Sequence, residues 1–255
     1  MRAPSGTPAL KLALSERVWA MDVKYPWVVA ATADRKIHMY NLTAPHAAYR
    51  VRGGGGARLT ALHAPVVACR TQRRAPRRRP FSSFSPLQVI ESPLTHQTRV
   101  VRMFHEQQCY CIGTIEGRVA VRYIEERVDT ESKPGEADKL KNSFSFRCHR
   151  QGAYIYPVNA IDTHPHAAYR DVFATAGSDG VLVFWNKAKK LKLKEYATFS
   201  NRNSIAALAW NAAGTQCAYA ASYDYHRGVE GTQPAQPPTQ LLVHNMQSED
   251  MQPKA

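Results

Sequence analysis

The stretch Asp171-Val-Phe-Ala-Thr-Ala-Gly-Ser-Asp-Gly-Val-Leu-Val-Phe-Trp185 decides the fold of this 255-residue chain. Two short apolar runs, rich in β-branched and aromatic residues, flank the polar turn Gly177-Ser-Asp-Gly180. Asp and Gly are the residue types that a tight strand reversal favours, so the stretch predicts a β-hairpin. The preceding residues Val158–Pro165 predict a further strand that ends in a His-Pro turn.

The hairpin recurs along the chain with an acidic residue in its turn. The acid of the clearest copy is Asp179, and equivalent acids follow apolar runs at Asp34, Glu116 and Asp224. Their spacings are 82, 63 and 45 residues, whereas a WD-repeat blade recurs about every 40–45 residues. One small sheet cannot bury both of its faces, so neighbouring sheets must stack beside it. We therefore predict an all-β WD-repeat β-propeller with about four blades.

Composition divides the chain into four segments. We assign residues 1–51 to an N-terminal partial blade, 52–87 to a basic Gly/Arg/Pro-rich disordered insertion, 88–244 to propeller blades and 245–255 to a flexible C-terminal tail. The last blade would close with Leu241–His244, and no N-terminal strand is evident to complete it. We therefore expect a fragment, a short isoform or the product of an incomplete gene model.

Most of the formal charge of +14 belongs to the insertion. Nine arginines lie between Arg50 and Arg79, and no Asp or Glu occurs between Arg35 and Ile90. Without those nine arginines the charge falls from +14 to +5, so the blades themselves are only moderately basic. The insertion has two interpretations: a basic arm for RNA or nuclear import, or an artefact such as translated non-coding sequence.

Motifs for catalysis, metals and membranes are missing from the sequence. It has no phosphate-binding Gly-rich loop, no Gly-x-Ser-x-Gly and no His-Glu-x-x-His, so we predict no enzyme. Among five cysteines, Cys109 and Cys111 share one face of a predicted strand, but two ligands are too few for zinc, and we predict no metal or cofactor. No apolar run approaches the roughly 18–20 residues of a membrane span, and no secretory signal is visible.

Six motifs, in order, resemble the nuclear-pore mRNA export factor family (Rae-one in animals, Gle-two in yeasts). They are Leu14–Pro26, Ile90–Arg99, Ile115–Val121, Phe144–Arg150, Ile155–Ala160 and Ala220–Gly228. The related mitotic-checkpoint propeller family (Bub-three) shares Ile115–Val121, Cys148–Arg150 and Ile155–Ala160. The stretches Ser15–Trp19, Glu91–Gln97 and Ser222–Gly228 resemble the export family instead.

The resemblance implies a seven-bladed propeller of which this chain carries the last four blades. It implies a non-enzymatic adaptor that binds the acidic GLEBS motif of a nucleoporin and single-stranded RNA or mRNP during mRNA export. The location would be the nucleus and the nuclear pore complex, with shuttling to the cytoplasm. The alternative is a Bub-three-like spindle-checkpoint scaffold, with checkpoint kinases or tubulin-associated proteins as partners.

The resemblance also implies site residues. Arg118 matches a family arginine that pairs with acidic GLEBS residues, a task that suits a bidentate guanidinium. The matching aromatic and basic residues of an RNA groove, where bases stack and cations meet phosphates, are Phe146, Arg147, Trp185, Lys187, Lys190 and Lys192. Purely structural alternatives are a solvated rim arginine, a blade-packing Trp and a solvated lysine turn. We expect His164, Asp179, Gly177 and Gly180 to be structural.

Overall fold

The structure, a computed structural model, describes residues 14–43, 88–105, 109–124, 143–197, 203–225, 228 and 239–252. Within these ranges the chain forms four successive antiparallel sheets, which we call blades 1 to 4. Blade 1 contains β1 (Val18–Lys24), β2 (Trp27–Thr32), β3 (Lys36–Asn41) and β4 (Gln88–Glu91). Blade 2 contains β5 (Thr98–Met103), β6 (Cys109–Thr114), β7 (Arg118–Tyr123) and β8 (Phe144–Arg147).

The second half of the chain repeats this arrangement. A short hairpin, β9 (Arg150–Gln151) and β10 (Tyr154–Ile155), precedes blade 3. Blade 3 contains β11 (Val158–Thr163), β12 (Val172–Gly177), β13 (Val181–Asn186) and β14 (Leu191–Ala197). Blade 4 contains β15 (Ile205–Trp210), β16 (Gln216–Ala221) and β17 (Gln240–Asn245), and the helical turn α1 (Ser248–Met251) follows it. No helix of these ranges is long and apolar enough to cross a membrane.

Each blade is a meander in which neighbouring strands are consecutive in sequence. The first strands of successive blades lie beside one another: β1 by β5, β5 by β11 and β11 by β15. Sheets whose first strands adjoin in this way are the blades of a propeller. The predicted all-β fold, a partial WD-repeat β-propeller, is confirmed.

The hydrophobic core lies between the blades. One cluster joins blades 1 and 2 and includes Val29, Met39 and Ile112, all at most 1% exposed. A second cluster joins blades 2 and 3 around Phe104, Val121 and Phe173, and a third joins blades 3 and 4 around Phe184 and Ile205. Because each core is shared by two sheets, every blade depends on its neighbours for burial.

A side chain from the loop before each blade bonds the acid of that blade's hairpin turn. The pairs are Ser15–Asp34 at 3.0 Å, His96–Glu116 at 2.7 Å, His149–Asp179 at 2.9 Å and Ser204–Asp224 at 2.9 Å. The four turn acids predicted from the sequence therefore hold equivalent positions. The turns and these loops together form one edge of the propeller, which we call the turn rim.

The pair in blade 3 extends into a buried relay. His149 Nε2 and Thr175 Oγ1 lie 2.9 Å apart, and Trp185 Nε1 donates to Thr175 Oγ1 at 2.9 Å. With the imidazole neutral and its proton on Nδ1, each donor meets an acceptor. A Cβ at Gly177 would lie 2.6 Å from His149 Nδ1, so only glycine leaves room for the ring. Asp179 and Gly177 are therefore structural, as predicted.

The structure adds to the predicted segment boundaries. Gln88–Glu91 pairs with β3 and so forms the fourth strand of blade 1; it lies within residues 88–244, the segment assigned to propeller blades. Residues 52–87, predicted as an insertion, lie outside the described residues and fall between β3 and β4 in sequence.

At the predicted C-terminal tail, Asn245 ends β17 and Asp250 is fully buried. Asp250 accepts hydrogen bonds from Tyr196 Oη at 2.5 Å and from the Gln247 backbone N–H at 3.0 Å. Burial raises the pKa of Asp250, but hydrogen bonds from Tyr196 and His244 outweigh it and hold the pKa below its usual range. The turn α1 is thus attached to blade 3 through an ionised carboxylate.

We predict that Thr175→Val destabilises the chain, although the two side chains are nearly equal in size. Valine cannot accept from Trp185 or bond His149, which leaves buried polar groups unpaired at a cost of roughly 1–3 kcal/mol. Urea unfolding followed by far-UV circular dichroism measures the loss. The matched Thr95→Val, at an exposed threonine, should change the free energy of unfolding by less than about 0.5 kcal/mol. Equal midpoints for the two variants would contradict a stabilising relay.

Candidate functional site

Glu116, in the turn between β6 and β7, contacts two arginine side chains and one histidine side chain at the turn rim. Its carboxylate lies 2.7 Å from His96 Nδ1, 3.4 Å from Arg118 Nε and 3.7 Å from an Arg150 guanidinium nitrogen. Arg150 also donates to the Glu116 carbonyl oxygen at 3.1 Å. We call these four residues the rim cluster.

The backbone at Gly117 brings the rim cluster together. Gly117 has φ +61°, and a Cβ there would lie 2.6 Å from the Cys148 carbonyl oxygen. The Cys148 N–H donates to the Gly117 carbonyl at 2.9 Å, which fixes the loop after β8 against the turn. Arg150 follows at the start of β9, so a left-handed glycine in the turn helps to position an arginine 34 residues beyond Glu116.

The rim cluster has more positive charge and more donors than its one carboxylate satisfies. Two guanidinium groups and an imidazole face Glu116, and the exposed Arg147 pairs in register with Arg118. The Nε atoms of Arg118 and Arg150 are buried and have no hydrogen-bond partner among the described residues. The Arg118 and Arg150 side chains are nevertheless 33% and 26% exposed as a whole, so their surplus positive charge is accessible to an acidic group from outside.

A strip of aromatic rings runs between the outer strand of blade 2 and blade 3. Phe146 lies 4.5 Å from Trp185 and 6.0 Å from Phe144, measured between ring centroids. All three rings are half-buried. Phe144 and Phe146 share a face because they are two residues apart on β8. We call these three residues the aromatic strip.

Two lysines border the aromatic strip. Lys190 Nζ lies 5.3 Å from the centre of the Phe144 ring. Lys192 pairs in register with Trp185, so both side chains lie on one face of blade 3. The Lys192 side chain is half exposed and forms an ion pair with Glu195 at 3.0 Å. The structure thus places Phe146, Trp185, Lys190 and Lys192 near one another.

Two residues of the predicted groove lie elsewhere. Lys187 is 2% exposed, forms an ion pair with Asp171, and its Nζ is 5.1 Å from the Phe104 ring centre. It cannot reach a phosphate from this position, which corrects its assignment to the groove. Arg147 lies on the opposite face of β8 from Phe146, in register with Arg118, and so belongs beside the rim cluster.

Trp185 has a structural role as well as a place in the aromatic strip. Its Nε1–H is held by Thr175 in the buried relay, while its ring contacts Phe146. Trp185 thus packs within its blade, which was the structural alternative to an RNA-binding role. The edge of the indole that faces Phe146 is the part that belongs to the aromatic strip. Substitution of Trp185 would therefore change both the buried relay and the aromatic strip.

Sequence reasoning missed three residues that the site uses. Phe144 was a motif residue only, although its alternation with Phe146 could have revealed a shared face. His96 reaches Glu116 from the loop before blade 2, and Arg150 reaches it from the segment after blade 2. No local sequence pattern indicates that these two side chains meet the same carboxylate.

The described cysteines do not offer reactive thiols. Cys109, Cys111, Cys148 and Cys217 are buried. Burial raises the pKa of Cys109 and of Cys217 to about 12, so both thiols are protonated at neutral pH. A protonated thiol is a poor nucleophile. Within the described ranges, no group of three or more His, Cys, Asp or Glu is placed to hold a metal ion.

The chain is similar in sequence to several characterised proteins. It is 34% identical to the mRNA export factor GLE2 of Chaetomium thermophilum, over 98% of this chain and 56% of that protein. It is 31% identical to Protein RAE1 of Arabidopsis thaliana, over 94% and 54%. The WD40 repeat protein poxJ of Penicillium oxalicum is 29% identical, over 97% and 57%. The chain thus spans about half the length of the curated relatives it matches.

One solved structure adds a likeness in fold alone. The computationally designed Ika4 protein superposes with a TM-score of 0.50 at 11% identity, over 92% of this chain and 94% of that one. No protein-family model matches the chain.

We predict that Lys187 contributes to the stability of the fold and that Lys190 contributes little. Lys187→Met leaves Asp171 without its cation, and because Asp171 is 31% exposed the loss should be roughly 1–3 kcal/mol, below that of a fully buried pair. Lys190→Met removes an exposed charge and should cost less than about 0.5 kcal/mol. Chemical denaturation of both variants checks this. Equal stabilities would show that Lys187 is as solvated as Lys190.

Proposed function

The chain belongs to the family of the GLE2 and RAE1 mRNA export factors, and on that basis we propose that it is a non-enzymatic WD-repeat adaptor in mRNA export. The proposed partners are the acidic GLEBS motif of a nucleoporin and single-stranded RNA. The proposed location is the nucleus and the nuclear pore complex, with shuttling to the cytoplasm. Because the chain spans about half of its relatives, each of these assignments is a proposal for the residues present.

The rim cluster is the observation that carries the peptide-binding proposal. Arg118 and Arg150 share the single carboxylate of Glu116, and their side chains remain 33% and 26% exposed. A carboxylate from an acidic peptide would bind the exposed guanidinium groups and balance the remaining charge. Charge-assisted hydrogen bonds to guanidinium groups are among the stronger polar contacts in proteins.

The aromatic strip supports RNA as the second partner. Its rings are half-buried and lie on the outer strand of blade 2 and the neighbouring face of blade 3. Bases stack on such rings with little regard to sequence, while Lys190 and Lys192 are placed to contact phosphates. The rim cluster and the aromatic strip lie on opposite faces of β8, as the register of Arg147 and the contacts of Phe146 show. A peptide and an RNA strand would therefore use separate surfaces of blade 2.

We predict that Arg118→Glu abolishes binding of a GLEBS peptide. The change replaces a cation with a second carboxylate beside Glu116, and the dissociation constant should rise roughly 100-fold or more. Isothermal titration calorimetry with the peptide measures it. Arg170→Glu is the matched control, because Arg170 is exposed in the loop between β11 and β12, at the edge opposite the turn rim.

Unchanged affinity in Arg118→Glu, with normal circular dichroism, would refute the rim cluster as the peptide site. Equal loss in Arg170→Glu would indicate a response to net charge instead. Recovery of checkpoint kinases rather than a nucleoporin in a pull-down would favour the spindle-checkpoint alternative.

We predict that Phe146→Ala weakens binding of a single-stranded oligonucleotide about tenfold, through the loss of one stacking platform. Fluorescence anisotropy at two salt concentrations measures affinity, and Tyr154→Ala, at an exposed aromatic of the β9–β10 hairpin, should have no effect. A variant without residues 52–86 tests the Arg-rich segment separately. If that deletion removes all binding while Phe146→Ala removes none, the aromatic strip is not an RNA site.

A further inference from the structure

Blade 2 departs from the other blades in the acid of its hairpin turn. The acids of the other three blades are all aspartates: Asp34, Asp179 and Asp224. Blade 2 has Glu116 instead, whose side chain is one methylene longer. The longer side chain keeps the shared contact, because Glu116 Oε2 lies 2.7 Å from His96 Nδ1 in the preceding loop. It also carries the second carboxylate oxygen, Oε1, toward Arg118 and Arg150.

The carboxylate of Glu116 holds its two arginines loosely. Oε1 lies 3.4 Å from Arg118 Nε and 3.7 Å from an Arg150 guanidinium nitrogen, both longer than the roughly 2.7–3.2 Å of an N–H···O hydrogen bond. The turn acid of blade 1 is held more tightly, since Lys36 Nζ lies 2.7 Å from Asp34 Oδ2. Hydrogen bonds, first among them that from Lys36, hold the pKa of Asp34 well below its usual range. Glu116 therefore offsets part of the arginine charge without a close ion pair.

Strand pairing and a backbone carbonyl place the two arginines. Arg118 begins β7 and pairs in register with Arg147 of β8. Arg150 lies on β9, where it pairs with Ile155 of β10, and its guanidinium donates to the Glu116 carbonyl oxygen at 3.1 Å. None of these contacts involves the Glu116 carboxylate. Glu116→Gln would therefore leave them in place and remove the charge.

We propose that Glu116 is an internal competitor of the acidic partner: it faces the same guanidinium groups of Arg118 and Arg150 and so limits the affinity of the rim cluster. This inference rests on the proposed function, in which the rim cluster binds an acidic peptide. A peptide carboxylate is attracted by two arginines but repelled by the carboxylate already beside them. Glu116 is only 23% exposed, and like charges repel more strongly at such a site than in bulk water. The partner class is therefore a strongly acidic segment, whose carboxylates outweigh this repulsion.

Isothermal titration calorimetry of the full chain with the GLEBS peptide tests the proposal. Glu116→Gln should lower the dissociation constant about five- to tenfold, because the repulsion is lost while the neighbouring contacts remain. Glu116→Asp introduces the residue type of the other three turns, so it should fold, and it withdraws the carboxylate from the arginines. It should lower the dissociation constant about two- to threefold. Asp34→Asn is the matched control, because it removes a turn acid and one negative charge from blade 1, and it should leave the dissociation constant unchanged.

A second series of peptides separates repulsion from positioning. Each Asp or Glu of the GLEBS peptide is replaced in turn by its amide, and every analogue is titrated into the wild-type chain and into Glu116→Gln. Only a charged peptide gains from the loss of the Glu116 carboxylate. For the peptide acid that meets the rim cluster, the amide replacement should therefore weaken binding to Glu116→Gln about five- to tenfold more than binding to the wild type. If Glu116 instead positions the arginines, the replacement would cost less in Glu116→Gln than in the wild type, and the proposal would be wrong.

Failure of this inference is distinguishable from failure of the peptide site. If Arg118→Glu abolishes binding but Glu116→Gln binds the peptide no more tightly than the wild type, Glu116 is not a competitor, although the rim cluster remains the peptide site. If the wild-type chain does not bind the peptide, or Arg118→Glu binds it normally, the proposed function fails and the competition fails with it. An equal gain in Glu116→Gln and Asp34→Asn would show a response to net charge and would overturn the specific role of Glu116. Far-UV circular dichroism checks the fold of each variant, and Glu116→Asp decides the question if Glu116→Gln does not fold.

Discussion

The bond between each turn acid and a side chain from the preceding loop is the constraint on which this propeller depends. A blade buries its faces against two neighbours, so the chain must cross from one sheet to the next at a fixed place and angle. The carboxylates of Asp34, Glu116, Asp179 and Asp224 fix that crossing at the turn rim. Apolar packing between blades is not directional, whereas these hydrogen bonds specify which loop residue lies over which turn.

The same position is closed in one blade and open in another. In blade 3 the pair is buried: Thr175 Oγ1 bonds His149, and Trp185 donates to Thr175 Oγ1. In blade 2 the pair of His96 and Glu116 is open to solvent, since the His96 side chain is 51% exposed. Two arginines also contact the Glu116 carboxylate. The arrangement that pairs the polar groups of blade 3 thus leaves the Nε atoms of Arg118 and Arg150 without hydrogen-bond partners in blade 2, among the described residues. The rim cluster is thus a less complete version of a bond that recurs in every blade, brought together by the left-handed backbone of Gly117.

The sequence predicts the repeated turn acids and strands. It does not predict which side chains from different blades come into contact. The turn acids and the apolar runs beside them are local patterns, so the blades and the places of Asp34, Glu116 and Asp179 followed directly. Lys187 and Lys190 are three residues apart and look alike in sequence. Lys187 is buried beside the Asp171 carboxylate, whereas Lys190 is exposed and lies near the Phe144 ring. The local sequence does not show which of the two lysines has a carboxylate beside it. Arg147 and Phe146 are adjacent, and only strand register decides that they serve opposite faces.

The architecture also restricts where binding residues can lie. Both faces of an internal blade are buried against its neighbours. Only the two edges of the propeller, one of which is the turn rim, and the outer strand of each blade are exposed to partners. The rim cluster occupies the turn rim, and the aromatic strip occupies the outer strand of blade 2, where a ring can be half-buried without a gap in the core. By the same reasoning, a blade face covered by its neighbour offers no surface to a partner: Ala174, Ala176, Leu182 and Phe184 of blade 3 are at most 1% exposed because they pack on blade 4.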